Sequence, residues 1–137
     1  TSSVNGVLAQ RLVRTLCSQC KEEVTLGEEA VARYGLAPFL DGAAPRVFQA
    51  RGCPHCMDTG YSGRTAIHEL FPLDGEMHRV IMEGADATVL HAAARRQGMI
   101  TLYEDGLRKV IGGETSLEEV LRVTQDQSDS DKSTEAA

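Results

Sequence analysis

The apolar positions of the first half of the chain predict one amphipathic helix and two strands. Residues 4–16 carry apolar side chains at spacings of three to five residues, which is typical of a helix with one buried face: Val7, Leu8, Leu12, Val13 and Leu16. Residues 46–51 and 64–71 are predicted to be strands. In the second of these, alternation of side chains indicates that the face bearing Ile67 and Phe71 is buried.

A second, shorter helix is predicted between the first helix and the strands. It covers residues 25–34, where Thr25 and Glu28 have the spacing of a capping box and Gly35 provides a stop. The glycines and prolines of residues 35–45 indicate a loop.

From Asp74 onward the pattern becomes helical, with four starts and four stops. Each predicted helix begins at a side chain that can cap backbone N–H groups, and the first three end at or near a glycine. The predicted helices run from Asp74 to Gly84, from Asp86 to Gly98, from Thr101 (with Glu104) to Gly112, and from Thr115 or Ser116 onward with Leu117, Val120 and Leu121 as apolar positions. Residues 125–137 lack large apolar groups and are expected to be a disordered acidic tail.

Length and charge narrow the class of protein. A chain of 137 residues with 42% hydrophobic and 25% charged residues fits one soluble domain. We expect no membrane span and no secretory signal, and we interpret the chain, which starts at Thr1, as a piece of a longer protein. The net charge of −6 disfavours a nucleic-acid-binding surface, which needs positive charge to contact phosphates.

Four cysteines form two matched CxxC pairs. Cys17 and Cys20 are the first pair, Cys53 and Cys56 are the second pair, and 32 residues separate them. Zinc favours four tetrahedral thiolates, and each CxxC turn can present two of them. Four thiolates leave no open position on the ion, so the spacing predicts a structural zinc site and not a catalytic one. The long intervening segment is tolerated because loop-closure entropy grows only logarithmically with length.

Other interpretations of the cysteines remain open at this point. The second pair, with Pro and His between its cysteines, would also suit a thiol oxidoreductase, although the following residues begin no recognisable helix. Two disulfides of a secreted protein and four merely buried thiols are further alternatives. His55 lies inside the second pair and is expected to be exposed, and the remaining histidines are predicted to be surface or boundary residues: His68, His78 and His91.

No nucleotide site can be assembled from motifs in this chain. A phosphate-binding P-loop needs a glycine followed by Lys and then Ser or Thr, and none of the three lysines follows a glycine. The neighbouring carboxylates Glu104 and Asp105, and Glu118 and Glu119, are interpreted as solvated helix faces and N-terminal caps. We therefore identify no catalytic residue and no residue that binds an organic cofactor.

Three segments together resemble a known family. The segments LAQRLVRTLCSQC, ARGCPHCMDTGYSGRTAIHELF and GMITLYEDGLRKVIGGETSLEEVLRVT are similar, in register over about residues 4–125, to the C-terminal part of type II secretion ATPases. The type IV pilus assembly ATPases share the pattern more loosely. The family's metal ligands correspond to all four cysteines of this chain, whereas its Walker motifs, acidic box and histidine box have no counterpart here.

The resemblance implies a hexameric, RecA-like motor that is cytoplasmic and peripheral to the bacterial inner membrane, where ATP hydrolysis drives pseudopilus assembly and protein export. ATP and Mg would bind only the full-length parent. Residues 1–16 would end the RecA-like core, 17–63 would be the four-cysteine zinc subdomain, and 64–124 a strand and a helical subdomain. The expected fold is α+β and mostly helical, with a short β-hairpin in the zinc subdomain and a small helical bundle after it.

The leading hypothesis is therefore a non-catalytic zinc module of a secretion motor. Its expected partners are the RecA-like core, neighbouring ATPase subunits and the inner-membrane secretion platform, with no nucleic acid. Candidate contact residues are Arg11, Arg14, Arg51 and Arg64, each of which is equally well read as a solvated arginine. The alternatives are a stand-alone zinc-ribbon protein that binds nucleic acid and a CxxC thiol oxidoreductase.

Overall fold

The computed structural model describes residues 3–125, and within them the chain forms an α+β fold. It has two antiparallel two-stranded sheets and six α-helices: β1 (Gly6–Leu16), β2 (Glu22–Thr25), α1 (Glu28–Tyr34), α2 (Ala37–Leu40), β3 (Arg46–Gln49), β4 (Tyr61–Pro72), α3 (Gly75–Met82), α4 (Ala87–Arg96), α5 (Leu102–Ile111) and α6 (residues 117–125). Of the acidic tail predicted at 125–137, residues 126–137 lie outside the described part.

The helix predicted over residues 4–16 is wrong, because this segment is strand β1. It pairs along its whole length with β4, from Gly6 opposite Pro72 to Arg14 opposite Arg64, and a bulge follows before Leu16 meets Tyr61. The apolar residues of β1 lie on both faces of the strand, and this arrangement imitates the spacing of an amphipathic helix. Pairing with residues 45 to 66 positions away in the sequence decides the conformation, and local propensity does not reveal this pairing.

Both predicted strands near the second cysteine pair exist, but they do not pair with each other. The segment 46–51 contributes β3, which pairs with β2, and the segment 64–71 lies within β4, which pairs with β1. The predicted hairpin is thus replaced by a small β2–β3 sheet whose two strands are connected through α1 and α2. Since Thr25 belongs to β2, it cannot cap α1, whose N-cap is Gly27.

The loop predicted over 35–45 contains the single turn α2. The stop predicted at Gly35 is confirmed, because this glycine ends α1 in the left-handed conformation.

The predicted starts of the last four helices are confirmed. Asp74 accepts the N–H of Met77, and Asp86 accepts the N–H of Val89. Thr101 and Glu104 form a reciprocal capping box. The side chain that caps α6 is Ser116, whose hydroxyl accepts the N–H of the residue three positions on.

Three clusters of buried side chains join the elements into one body. On the inner face of the β1–β4 ladder, Val13 and Ile67 pack against Leu102 of α5. A second cluster joins Val47 of β3 to α5 and α6, and a third holds α3 and α4 together. The face of β4 predicted to be buried is confirmed: Ile67 is fully buried and Phe71 is partly buried. No helix in the described residues is long and apolar enough to span a membrane.

Candidate metal centre

The first cysteine pair lies in the turn that follows β1. The N–H of Lys21 donates to the carbonyl of Cys17 at 3.0 Å, which closes the turn and directs both thiols of the pair to one side. Cys17 has no exposed surface, whereas Cys20 is partly exposed. The N–H of Cys17 donates to the carbonyl of Gly60 at 2.9 Å, which ties this turn to the second one.

The second cysteine pair is carried by one turn of 3₁₀ helix, Pro54–Cys56. Proline at its first position is pre-set for a helical start. The turn ends at Met57, and the chain then returns through Gly60, whose φ is +82°. A Cβ on this glycine would lie 2.5 Å from the Cβ of Ala50, so both the backbone angle and the close approach require glycine.

The four sulfur atoms converge on one point. All of them lie within 4.8 Å of one another, and the Sγ–Sγ distance is 3.8 Å for Cys17 and Cys53, 3.8 Å for Cys20 and Cys56, and 3.7 Å for Cys53 and Cys56. An ion with four sulfur ligands at about 2.3 Å in a tetrahedron holds neighbouring sulfurs about 3.8 Å apart. A disulfide would need about 2.05 Å. The arrangement therefore fits a tetrahedral metal ion and not two disulfides.

Backbone N–H groups point at two of the sulfurs. Gly60 and Cys53 donate to Sγ of Cys56 at 3.2 and 3.3 Å, and Gly52 donates to Sγ of Cys20 at 3.4 Å. Burial raises the pKa of the Cys20 thiol to about 11. Burial also opposes ionisation of Cys56, but its two N–H donors outweigh this effect and lower the pKa of that thiol to about 6. Of these two thiols, Cys56 therefore ionises the more readily, and a divalent cation at the centre of the cluster would favour the thiolate form of each ligand.

The histidines do not enter this cluster. Within residues 3–125 the four cysteines form the one group of three or more metal-ligating side chains close enough to share an ion. His55 is exposed although it lies between Cys53 and Cys56, His78 is partly buried, and His91 is exposed. His68 lies 4.0 Å from a carboxylate oxygen of Asp105. Their predicted places at the surface or boundary are confirmed.

The four candidate arginines separate into two kinds. Arg14 donates to Glu119 and stacks on the Tyr61 ring at 4.2 Å, and Arg51 lies 3.3 Å from a carboxylate oxygen of Glu22. Arg11 and Arg64 are exposed on the β1–β4 ladder. The two paired arginines are therefore accounted for by contacts within this chain.

The prediction that Glu119 lies on a solvated helix face is wrong, although its place at the N-terminal cap of α6 is confirmed. Glu119 is 2% exposed, and it joins the start of α6 to the end of β1 just before the first cysteine pair. A sequence signal existed, because Ser116, Glu119, Val120 and Val123 share one helical face and most of its positions are apolar or capping. The other carboxylate of that pair, Glu118, is exposed as expected.

Comparison with known proteins gives a consistent result. Residues 1–122 match the sequence model of the family described as type II/IV secretion system protein. The chain is 47% identical over 125 residues to the type IV pilus assembly ATPase PilB of Thermus thermophilus. This match covers 90% of the chain and 14% of that relative. For the type II secretion system protein HxcR of Pseudomonas aeruginosa the identity is 46%, covering 91% of the chain and 22% of the relative.

Type II secretion system protein E of Pseudomonas aeruginosa is 43% identical over 127 residues, and the match covers 93% of the chain and 24% of that relative. The chain thus spans less than a quarter of the length of these relatives.

Proposed function

The chain belongs to the type II/IV secretion system protein family, and we propose that it is the zinc-binding C-terminal module of a type II secretion ATPase that powers pseudopilus assembly. The observation that carries the proposal is the close grouping of the four sulfurs, three pairs of which are 3.7–3.8 Å apart as in a tetrahedral site, joined to the match along nearly the whole chain. Cys17, Cys20, Cys53 and Cys56 would hold the ion. A closed tetrathiolate site supplies folding energy and not catalysis.

ATP hydrolysis belongs, in this proposal, to the parent protein and not to this chain. No P-loop or other phosphate-binding motif occurs in the sequence. ATP and Mg would bind a RecA-like core, of which residues 1–16 form the end. Residues 17–63 would then be the zinc subdomain, and 64–124 a strand with the helical subdomain. The pairing of β1 with β4 supports a single body in which the zinc subdomain is inserted between two paired strands.

One face of the β1–β4 ladder supports contact with another protein surface. Leu8 and Leu70 lie directly opposite each other and are each 57% exposed, and Leu12 is 49% exposed four residues further along the same face, beyond the pair of Gln10 and His68. Several large exposed apolar side chains on one face of a sheet are typical of an interaction site. We assign it to the RecA-like core of the parent, with neighbouring subunits and the inner-membrane platform as further partners of a cytoplasmic, hexameric motor.

The proposal is tested by metal content and thiol accessibility of the pure chain. We expect about one zinc per chain, four thiols shielded from a thiol reagent, and all four reactive after chelation. Cys20→Ser should lower the zinc content sharply, whereas His55→Ala, the matched control from the same region, should leave it unchanged. A folded chain that is free of metal, with its sulfurs bridged to each other, would contradict the zinc assignment.

The motor assignment is tested separately. The isolated chain should show no ATP turnover above background, and the double change Cys53→Ser and Cys56→Ser in the full-length parent should abolish secretion while His55→Ala does not. Sustained ATP hydrolysis by the pure chain, or normal secretion with the cysteines replaced, would refute the assignment of a zinc module that serves a separate ATPase core.

A further inference from the structure

The loop between α5 and α6, residues 112–116, is bound by the first cysteine pair. The N–H of Leu16, one residue before the pair, donates to the carbonyl of Glu114 at 2.9 Å. Lys21, one residue after the pair, donates through Nζ to the carbonyl of Gly113 at 2.9 Å. Both flanks of the first cysteine turn are therefore bonded to backbone atoms of this loop.

The same loop is bound by the region that follows the second cysteine pair. The hydroxyls of Tyr61 and Ser116 share a hydrogen bond of 2.7 Å. Ser116 is also the residue whose hydroxyl accepts the N–H of Glu119 and so caps α6. One side chain is thus held by the region after the second cysteine pair and at the same time caps the N-terminus of α6.

The loop of residues 112–116 packs closely against Phe48, Lys21 and Arg14. Gly113 has φ +78°, and a Cβ there would lie 3.2 Å from ring carbons of Phe48 and 3.3 Å from Nζ of Lys21. The same Nζ lies 4.6 Å from the centre of the Phe48 ring, over its face. Thr115 is fully buried and donates to the carbonyl of Arg14 at 2.7 Å.

We propose that residues 112–116 form a clasp that couples metal binding by the four cysteines to the docking of α6. The clasp needs both cysteine turns in place at once, because Leu16 and Lys21 flank one turn and Tyr61 follows the other. An ion that is bound by sulfurs of both cysteine turns fixes the distance between these two turns. Coupling between two sites is reciprocal, so a partner that repositions α6 changes the metal affinity by the same factor by which the metal changes the partner's affinity.

The inference rests on the proposed metal site, and the two can fail separately. If the chain contains no metal, the metal-content measurement described above refutes the proposed metal site. A chain that binds metal, but whose metal affinity does not depend on the clasp, overturns the coupling alone.

The test measures zinc affinity of the full chain by competition with a chelator. Lys21→Met keeps the length of the side chain and removes its donor, and we expect about tenfold weaker zinc binding, the lower end of the effect of groups that support metal ligands. Arg51→Met is the matched control, because it removes a cation two residues before Cys53. The ion-pair partner of Arg51 is Glu22, which does not belong to the loop of residues 112–116. Its zinc affinity should stay within about threefold of the unaltered chain.

Gly113→Ala distinguishes the effect of the clasp from the effect of the Lys21 charge. It keeps Lys21 but forces the loop away from Phe48, and it should also weaken zinc binding about tenfold. Hydrogen exchange supplies the reciprocal measurement: chelation should speed exchange at residues 117–121 more than at α4. Unchanged zinc affinity in both variants, or equal acceleration throughout the helices on chelation, would overturn the coupling.

Discussion

Replacing Glu119 by Gln removes the charge that joins α6 to β1. The Glu119 carboxylate accepts five N–H donors, of which the backbone N–H of Arg14 and two side-chain groups of Arg14 lie at 2.8 to 3.1 Å. The other two donors belong to Arg122, at 3.0 and 3.1 Å. Glutamine keeps the shape, but its amide nitrogen cannot accept any of these N–H groups.

The size of the effect follows from the pKa of this carboxyl. Burial opposes its ionisation, but the hydrogen bonds from Arg122 and Arg14 outweigh that effect and lower the pKa from the ordinary value of 4.5 to about 2. At about 1.4 kcal/mol per pH unit this corresponds to a ceiling of about 3 kcal/mol. The arginine side chains are 49% and 54% exposed, so solvent screens part of the interaction. We expect a loss of about 2 kcal/mol in the free energy of unfolding.

Thermal and urea unfolding of the metal-loaded chain measure this loss. A change of about 2 kcal/mol in a domain of this size lowers Tm by about 8 °C. Glu118→Gln removes the same charge from the exposed neighbouring position and should change Tm by about 1 °C or less. Equal Tm shifts for the two variants would mean that burial and the five donors contribute nothing specific, and the reasoning would be refuted.

The pH dependence gives an independent check on the same group. Because the pKa of Glu119 is lower in the folded than in the unfolded state, its stabilisation is fully present above about pH 4.5 and is lost as pH falls towards 2. The difference in stability between the unaltered chain and Glu119→Gln should therefore shrink over that range. Both proteins carry the same four cysteines, so acid release of a metal cancels in the difference.

Three further changes test the packing, a cap and the metal. Gly106→Ala should destabilise the fold by about 1–3 kcal/mol in urea unfolding despite the better helix propensity of alanine, because a Cβ at Gly106 would lie 2.5 Å from Cγ1 of Val120. Asp86→Ala should cost about 1 kcal/mol in the same measurement, because it removes the acceptor for the N–H of Val89. Chelation of the unaltered chain should lower Tm in calorimetry, and re-addition of zinc should restore it.

Local signals predicted the helical half of the fold, because each of its decisive contacts lies within four residues. Asp74, Asp86 and Thr101 cap N–H groups three residues ahead of them, so the sequence window that contains the cap contains its partner as well. The cysteine site was predictable for a related reason. Each CxxC turn is local, and the four ligands that a tetrahedral metal ion prefers are the reason to expect the two turns to meet.

Contacts between distant residues could not be predicted in this way. The helical face that Glu119 shares with Val120 and Val123 indicates burial, but no local pattern identifies its partner Arg14, which lies 105 positions away in the sequence. The pairing of β3 with β2 and not with the next strand is a similar case, because register and partner choice depend on the whole sheet. The clasp could not be predicted for the same reason, because Lys21 and Gly113 lie 92 positions apart in the sequence.

The incorrect helix over residues 4–16 and the exposed leucines of the ladder have one common cause. A strand with one solvated face alternates apolar and polar residues, whereas a strand covered on both faces carries apolar residues on both. In β1, Val13 faces the inner core while Leu8 and Leu12 lie on the outer face, and together they give the spacing that imitates a helix. The pattern that misled the sequence interpretation is thus the pattern of a strand covered on both faces. If the proposed RecA-like core of the parent covers Leu8 and Leu12, these side chains, which are 57% and 49% exposed in this chain, should become buried when it docks.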